Sequence, residues 1–125
     1  LHNQTKDYLL RLYLRIQLQL AHQVLLVLLA LTRLTVWLYL AQLTHAYRRA
    51  LPTEELLLAD FYLPVGSVYI DCWGAEIAAD QLSSRLRKRE IYHELKLRSI
   101  DINAGDEERL DEVLGRGLLA FGIRC

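Results

Sequence analysis

The sequence predicts a mixed α/β fold, with N-terminal helices followed by a small mixed sheet flanked by helices. Three observations carry that prediction. The first half is leucine-rich and holds neither Gly nor Pro before Pro52. Two short aromatic and branched runs then flank Pro64-Val65-Gly66-Ser67, which reads as a hairpin loop. Beyond them, two helical stretches enclose one further strand-like run. A chain of 125 residues can bury one core without metal or disulfide staples. We expect a leucine-rich helical segment over 1–44 and an α/β core over 45–125, joined in one compact unit.

Residues 5–22 place Tyr8, Leu9, Leu12, Ile16 and Leu20 at helical spacings, and a second apolar helix is expected over 24–43. With no Gly or Pro available, the break between the two is left to tertiary packing. Twenty leucines fall among residues 1–58. The run 24–43 is long enough to span a bilayer, with Arg33 as its one charge. Its Thr32, Thr35 and Gln42 also suit a helix buried in the fold or packed on a partner, and that reading is preferred. Membrane association through 24–43 is the alternative, and 5–43 is the expected surface for a homo-oligomer or a partner protein.

The segment His45–Leu51 is read as a short strand before Pro52-Thr53-Glu54-Glu55. Leu56–Leu63 and Val68–Trp73 form the hairpin, Ala78–Leu95 a helix and Leu97–Ile102 another strand. After an Asn103-Ala104-Gly105 turn, Asp106–Phe121 is a closing helix whose acidic first turn suits the helix dipole.

A hydrophobic content of 53% argues against disorder. Cys72 and Cys125 form neither a disulfide framework nor a zinc-ligand spacing, which points to a reducing, cytoplasmic compartment. The neutral total hides an asymmetry. Residues 1–53 carry six basic side chains and one acidic, and residues 54–125 carry nine basic and fourteen acidic. The basic half can meet phosphate, or can pair with the acidic half inside one fold. Ser83 and Ser84 lack a His at a spacing for nucleophilic catalysis, and Gly115 and Gly117 follow no strand that would make a phosphate loop.

If the loop is Pro64–Ser67, Leu63 pairs with Val68, and the same count brings Asp60 directly opposite Asp71. Like charges so placed need an offset. A divalent cation supplies one through carboxylate ligation; a protonated pair or a nearby arginine is an alternative, as is a carboxylate that caps a turn or faces water. A one-residue slip would send the two side chains to opposite faces. Gln81, Arg85, Lys88 and Tyr92 form one helical stripe. Facing the carboxylates, Lys88 could orient an attacking water or stabilise phosphate charge while Arg85 holds a phosphate. Facing away, Arg85, Arg87, Lys88 and Arg89 are a solvated basic run.

Several strings carry a family resemblance. Asp60-Phe61-Tyr62-Leu63-Pro64 is followed by Val68-Tyr69-Ile70-Asp71-Cys72-Trp73-Gly74, Lys88-Arg89-Glu90-Ile91-Tyr92 and Leu118-Leu119-Ala120-Phe121-Gly122-Ile123. Together they resemble a bacterial group of PD-(D/E)XK nuclease-like domains, and Tyr47 to Pro52 resembles that group's lead-in strand less closely. The resemblance implies a restriction-endonuclease-like core and Mg²⁺- or Mn²⁺-dependent hydrolysis of DNA. It places Asp60 at the metal-binding Asp, Asp71 at the second acidic position and the Cys72 carbonyl at a third ligand. Lys88 is the counterpart of a lysine moved to the helix, and Trp73 stands where the superfamily name expects Lys. Arg85, Lys88 and Tyr92 are the expected nucleic-acid contacts. Three departures stand beside the match: no Glu precedes Glu54, Arg48 occupies a position where relatives often carry Glu, and Asp71 is one methylene shorter than Glu. A catalytically silent nuclease fold used for DNA binding, protein interaction or oligomerisation is the alternative.

Overall fold

The computed structural model describes residues 2–73 and 79–124. Along the chain run α1 (His2–Leu40), β1 (Ala46–Ala50), β2 (Leu58–Leu63), β3 (Val68–Cys72), α2 (Ala79–Glu94), β4 (Arg98–Ile102), a 3-10 turn (Asp106–Glu108) and α3 (Leu110–Ala120). The four strands form one mixed sheet in the order β1-β2-β3-β4. The β1–β2 and β2–β3 pairs are antiparallel, while β4 returns through α2 to lie parallel to β3. This is the mixed class expected from the sequence, and the short strand after His45 is present.

Strand pleating divides the side chains between two cores. Phe61, Leu63, Val68, Ile70, Ile100 and Ile102 pack with Leu34 and Leu38 of α1 and with Leu110, Leu114 and Leu118 of α3. On the other side Ala59 and Tyr69 pack with Leu51 and with Ile91 and Tyr92 of α2. The sheet is therefore the middle of three layers, and α2 stands alone over the face that carries the aspartates. Gly117 lets α3 approach closely, because a Cβ there would lie 2.9 Å from Ile100 Cδ1.

The N-terminal region departs from expectation. Instead of two helices, α1 is a single helix of 39 residues. Residues 22–24 offer no Gly, Pro or capping sequence, and no packed element forces a bend there. Only its C-terminal end enters the core, through fully buried Leu34 and Leu38, and Trp37 Nε1 donates to Asp111 Oδ1 at 2.7 Å. Further back, Leu18 is 71% and Leu25 63% exposed. By length and composition α1 could cross a membrane. Within 24–43, Val24–Leu29 is exposed while Leu34 and Leu38 belong to the core.

All three helices end in the same way, with the backbone N–H of C″ closing on the carbonyl five residues back: Leu43 on Leu38 at 3.0 Å, Leu97 on Tyr92 at 2.8 Å and Ile123 on Leu118 at 2.9 Å. The residue at the left-handed C′ position is Gln42 (φ 59), Lys96 (φ 52) or Gly122 (φ 79). The predicted closing helix over 106–121 is divided. Arg109, at φ −129 and ψ 36, departs from helical geometry between the 3-10 turn and α3.

Candidate functional site

The site is built by the β2–β3 hairpin. Gly66 (φ 75) and Ser67 (φ 54) turn the chain through the left-handed region that glycine tolerates best. The resulting register pairs Leu63 with Val68, Tyr62 with Tyr69 and Phe61 with Ile70. One step further along that register, Asp60 faces Asp71, as the loop length predicts. Parallel pairing then aligns Asp71 with Asp101 on β4. Three aspartates thus run across β2, β3 and β4 on the face covered by α2.

Asp71 is 1% exposed, and both its oxygens are engaged. Lys88 Nζ donates to Oδ1 at 3.0 Å, and the Tyr92 hydroxyl donates to Oδ2 at 2.6 Å. Lys88 is itself 8% exposed, so it is no member of a solvated run. Arg89 is the exposed member of that run, and Arg87 is half-buried and held by Glu55 and Glu90. Burial pushes the Tyr92 phenol well above its ordinary value, and the neighbouring Asp71 charge adds to that rise. Tyr92 is therefore a fixed proton donor to Asp71.

Asp60 accepts the Cys72 backbone N–H at Oδ2, at 2.7 Å. Its Oδ1 accepts no hydrogen bond among the described residues. Burial raises the Asp60 carboxyl above the ordinary carboxylate value; the Cys72 N–H lowers it, the Asp71 charge raises it, and Lys88 and Arg48 lower it. Arg48 falls opposite Asp60 in the β1–β2 register, at a left-handed φ of 57. Arg48 thus brings a positive charge toward the carboxylate. Burial, with Asp60 and Asp71 adding to it, pushes the Cys72 thiol up. Cys72 packs against the α1/α3 core, which leaves its backbone as the part available to the site.

Beside Asp71 lies a further set of contacts centred on Trp73. Its Nε1 donates to Asp101 Oδ1 at 3.0 Å, and its ring lies beneath the Arg85 guanidinium at 4.8 Å and Lys88 Nζ at 5.1 Å. Arg85 Nη2 donates to Asn103 Oδ1 at 3.0 Å and lies 4.0 Å from Asp101 Oδ2. Arg85 Nε is buried with no hydrogen-bond partner among the described residues. Arg89 Nη2 stands 3.5 Å from Asp101 Oδ2.

The predicted stripe Arg85, Lys88 and Tyr92 therefore does face the aspartates, while the side chain of Gln81 and the Gly74 that closes the second motif lie outside the described residues. Asp101 is the participant that sequence reasoning missed. Its signal was the alternation Ile100-Asp101-Ile102, which sets one acid on the face opposite two core residues. Its alignment with Asp71 depends on the path of α2 and has no local signature. Among the described residues, no group of three or more His, Cys, Asp or Glu side chains converges as a metal cluster.

No family model matches the chain, and no curated protein or solved structure matches it either.

Proposed function

We propose that the α/β core is a metal-dependent nuclease-like domain that hydrolyses DNA phosphodiesters. The observation that carries this reading is Asp60 and Asp71 at one level on adjacent strands, with Lys88 buried against Asp71 at 3.0 Å. The element order supports it: helix, three antiparallel strands, a crossover helix, a parallel fourth strand and a closing helix agree with the restriction-endonuclease-like core that the resemblance implies.

The donor set fits a hard divalent cation. Asp60 Oδ1 accepts no hydrogen bond among the described residues, each Asp71 oxygen takes one there and keeps lone-pair capacity for another ligand, and the Cys72 carbonyl is adjacent in sequence. Asp60, Asp71 and that carbonyl would hold Mg²⁺ or Mn²⁺, which when bound polarises a phosphoryl oxygen and lowers the pKa of its water. Tyr92 fixes the orientation of Asp71. Lys88 presents a positive charge that can pass from Asp71 to a phosphate whose charge grows during displacement. Arg85, braced on Trp73 and Asn103, sets its guanidinium charge beside the aspartates, where it would attract a phosphate.

A second reading rests on the same ion pair. Lys88 neutralises Asp71 without any cation, as a catalytically silent fold kept for DNA binding would require. Calorimetric titration of Mg²⁺ and Mn²⁺ into the wild type, Asp60→Ala and Asp71→Ala, with plasmid and single-stranded DNA cleavage read on the same samples, separates the two. Binding and cleavage that vanish together in both variants are expected. A wild type that neither binds metal nor cleaves DNA establishes the silent fold.

A further inference from the structure

Next to the aspartate row is an open groove of about 680 Å³ between the C-terminal half of α2 and the edge strand β4. Arg89, His93, Lys96 and Arg98 line it, with Asp101 as its one acid. This excess of positive charge is local, because the whole chain is neutral. Its cations are also unequally committed. Arg89 pairs with Asp101, whereas Arg98 donates only to the carbonyls of Gly66 and Phe121, and Lys96 meets no carboxylate among the described residues. The groove joins the site already described: Tyr92 bonds Asp71 with its hydroxyl and also lines the groove, and Asp101 belongs to both.

From this juxtaposition we propose that the groove is a binding track for a phosphodiester backbone, which leads a nucleic-acid strand from Lys96 and Arg98 past His93 and Arg89 to the aspartates. The proposal rests on the nuclease-like reading for its substrate class. Cations without carboxylate partners are available to phosphates, each contact releases counterions, and a groove of one sign concentrates the field. The left-handed turn at Lys96 (φ 52) sets this side chain at the mouth of the groove, beyond the end of α2.

The test is fluorescence anisotropy of a labelled oligodeoxynucleotide, single-stranded and as its duplex, in EDTA so that nothing is cleaved. The proteins are the full chain, Asp60→Ala, Lys96→Ala, Lys96→Glu, the double variant His93→Glu/Lys96→Glu, and Lys6→Glu as an equal charge change on α1. The three substituted groove and control positions, His93, Lys96 and Lys6, are exposed, and circular dichroism checks folding. Lys96→Glu should weaken binding by about fivefold or more and the double variant further, and Lys96→Ala should lower the salt slope by about one. Lys6→Glu should stay within about twofold of the wild type. The duplex and single-strand arms tell which form the track takes. A groove variant that binds no more weakly than Lys6→Glu, or a wild type that binds neither probe, overturns the proposal. Asp60→Ala keeps its binding if the track is real, so loss of cleavage and loss of the track are read separately.

Discussion

Asp71 and Lys88 are a buried charged pair, with side chains 1% and 10% exposed, and each leaves the other's charge uncompensated if it is removed. Removing one partner of such a pair leaves an uncompensated charge and costs about 3–5 kcal/mol, whereas replacing both by apolar or neutral groups of like volume costs far less. Lys88→Ala should therefore lower the urea midpoint strongly, and Asp71→Asn with Lys88→Met should recover most of the loss. Equal losses for the single and double variants would show that Asp71 does not rely on Lys88. A second residue-scale contact sits on the surface. Glu55 holds Arg87 at 2.6 Å and ties the β1–β2 connection to α2. The bond from Arg87 lowers the Glu55 carboxyl below its ordinary 4.5. Because the folded value lies below the unfolded one, the contact stabilises at pH above the unfolded value and is lost as pH falls through the folded value. The stability difference between wild type and Glu55→Gln should be steady at neutral pH and shrink progressively below 4.5; a difference independent of pH would mean that the ion pair contributes nothing.

Among the elements, α1 behaves as two different helices with one backbone. Leu34 and Leu38 lie in the core and Leu18 and Leu25 in the open. Deleting a buried leucine side chain costs about 2–5 kcal/mol, while exposed substitutions stay within about 0.5 kcal/mol. Leu34→Ala and Leu38→Ala should then lower the melting temperature by many degrees, and Leu18→Ala should leave that of the monomer in non-ionic detergent unchanged. A large loss at Leu18 would place that side chain in an interface. The helix ends show how unevenly such features can be read beforehand. Gly122 is a sequence signal for a left-handed stop, but Gln42 and Lys96 fill the same geometry with no signal at all. Their termini are fixed by Leu43 and Leu97, whose packing on the core holds the strained residue in place.

For the molecule as a whole, the apolar surface of α1 from Tyr8 to Leu29 is larger than monomeric proteins ordinarily leave in water. It is apolar around most of its circumference, the pattern of a helix covered on all sides. Sedimentation velocity should find the chain associated in plain buffer and monomeric in non-ionic detergent. A monomer in both would mean that these leucines are tolerated singly.

The sequence by itself determined the local features. The loop Pro64–Ser67 set the hairpin register, because its length leaves one way to pair the flanking core residues, and with it the opposition of Asp60 and Asp71. Helical periodicity placed Arg85, Lys88 and Tyr92 on one stripe. Only the tertiary structure decided which way that stripe faces, since the same spacing serves a solvated helix equally well. It also decided that Asp101 aligns with Asp71, because a parallel pair is joined through a crossover whose path is set by packing, and that α1 runs unbroken, since a long apolar run carries no record of which turns find a partner.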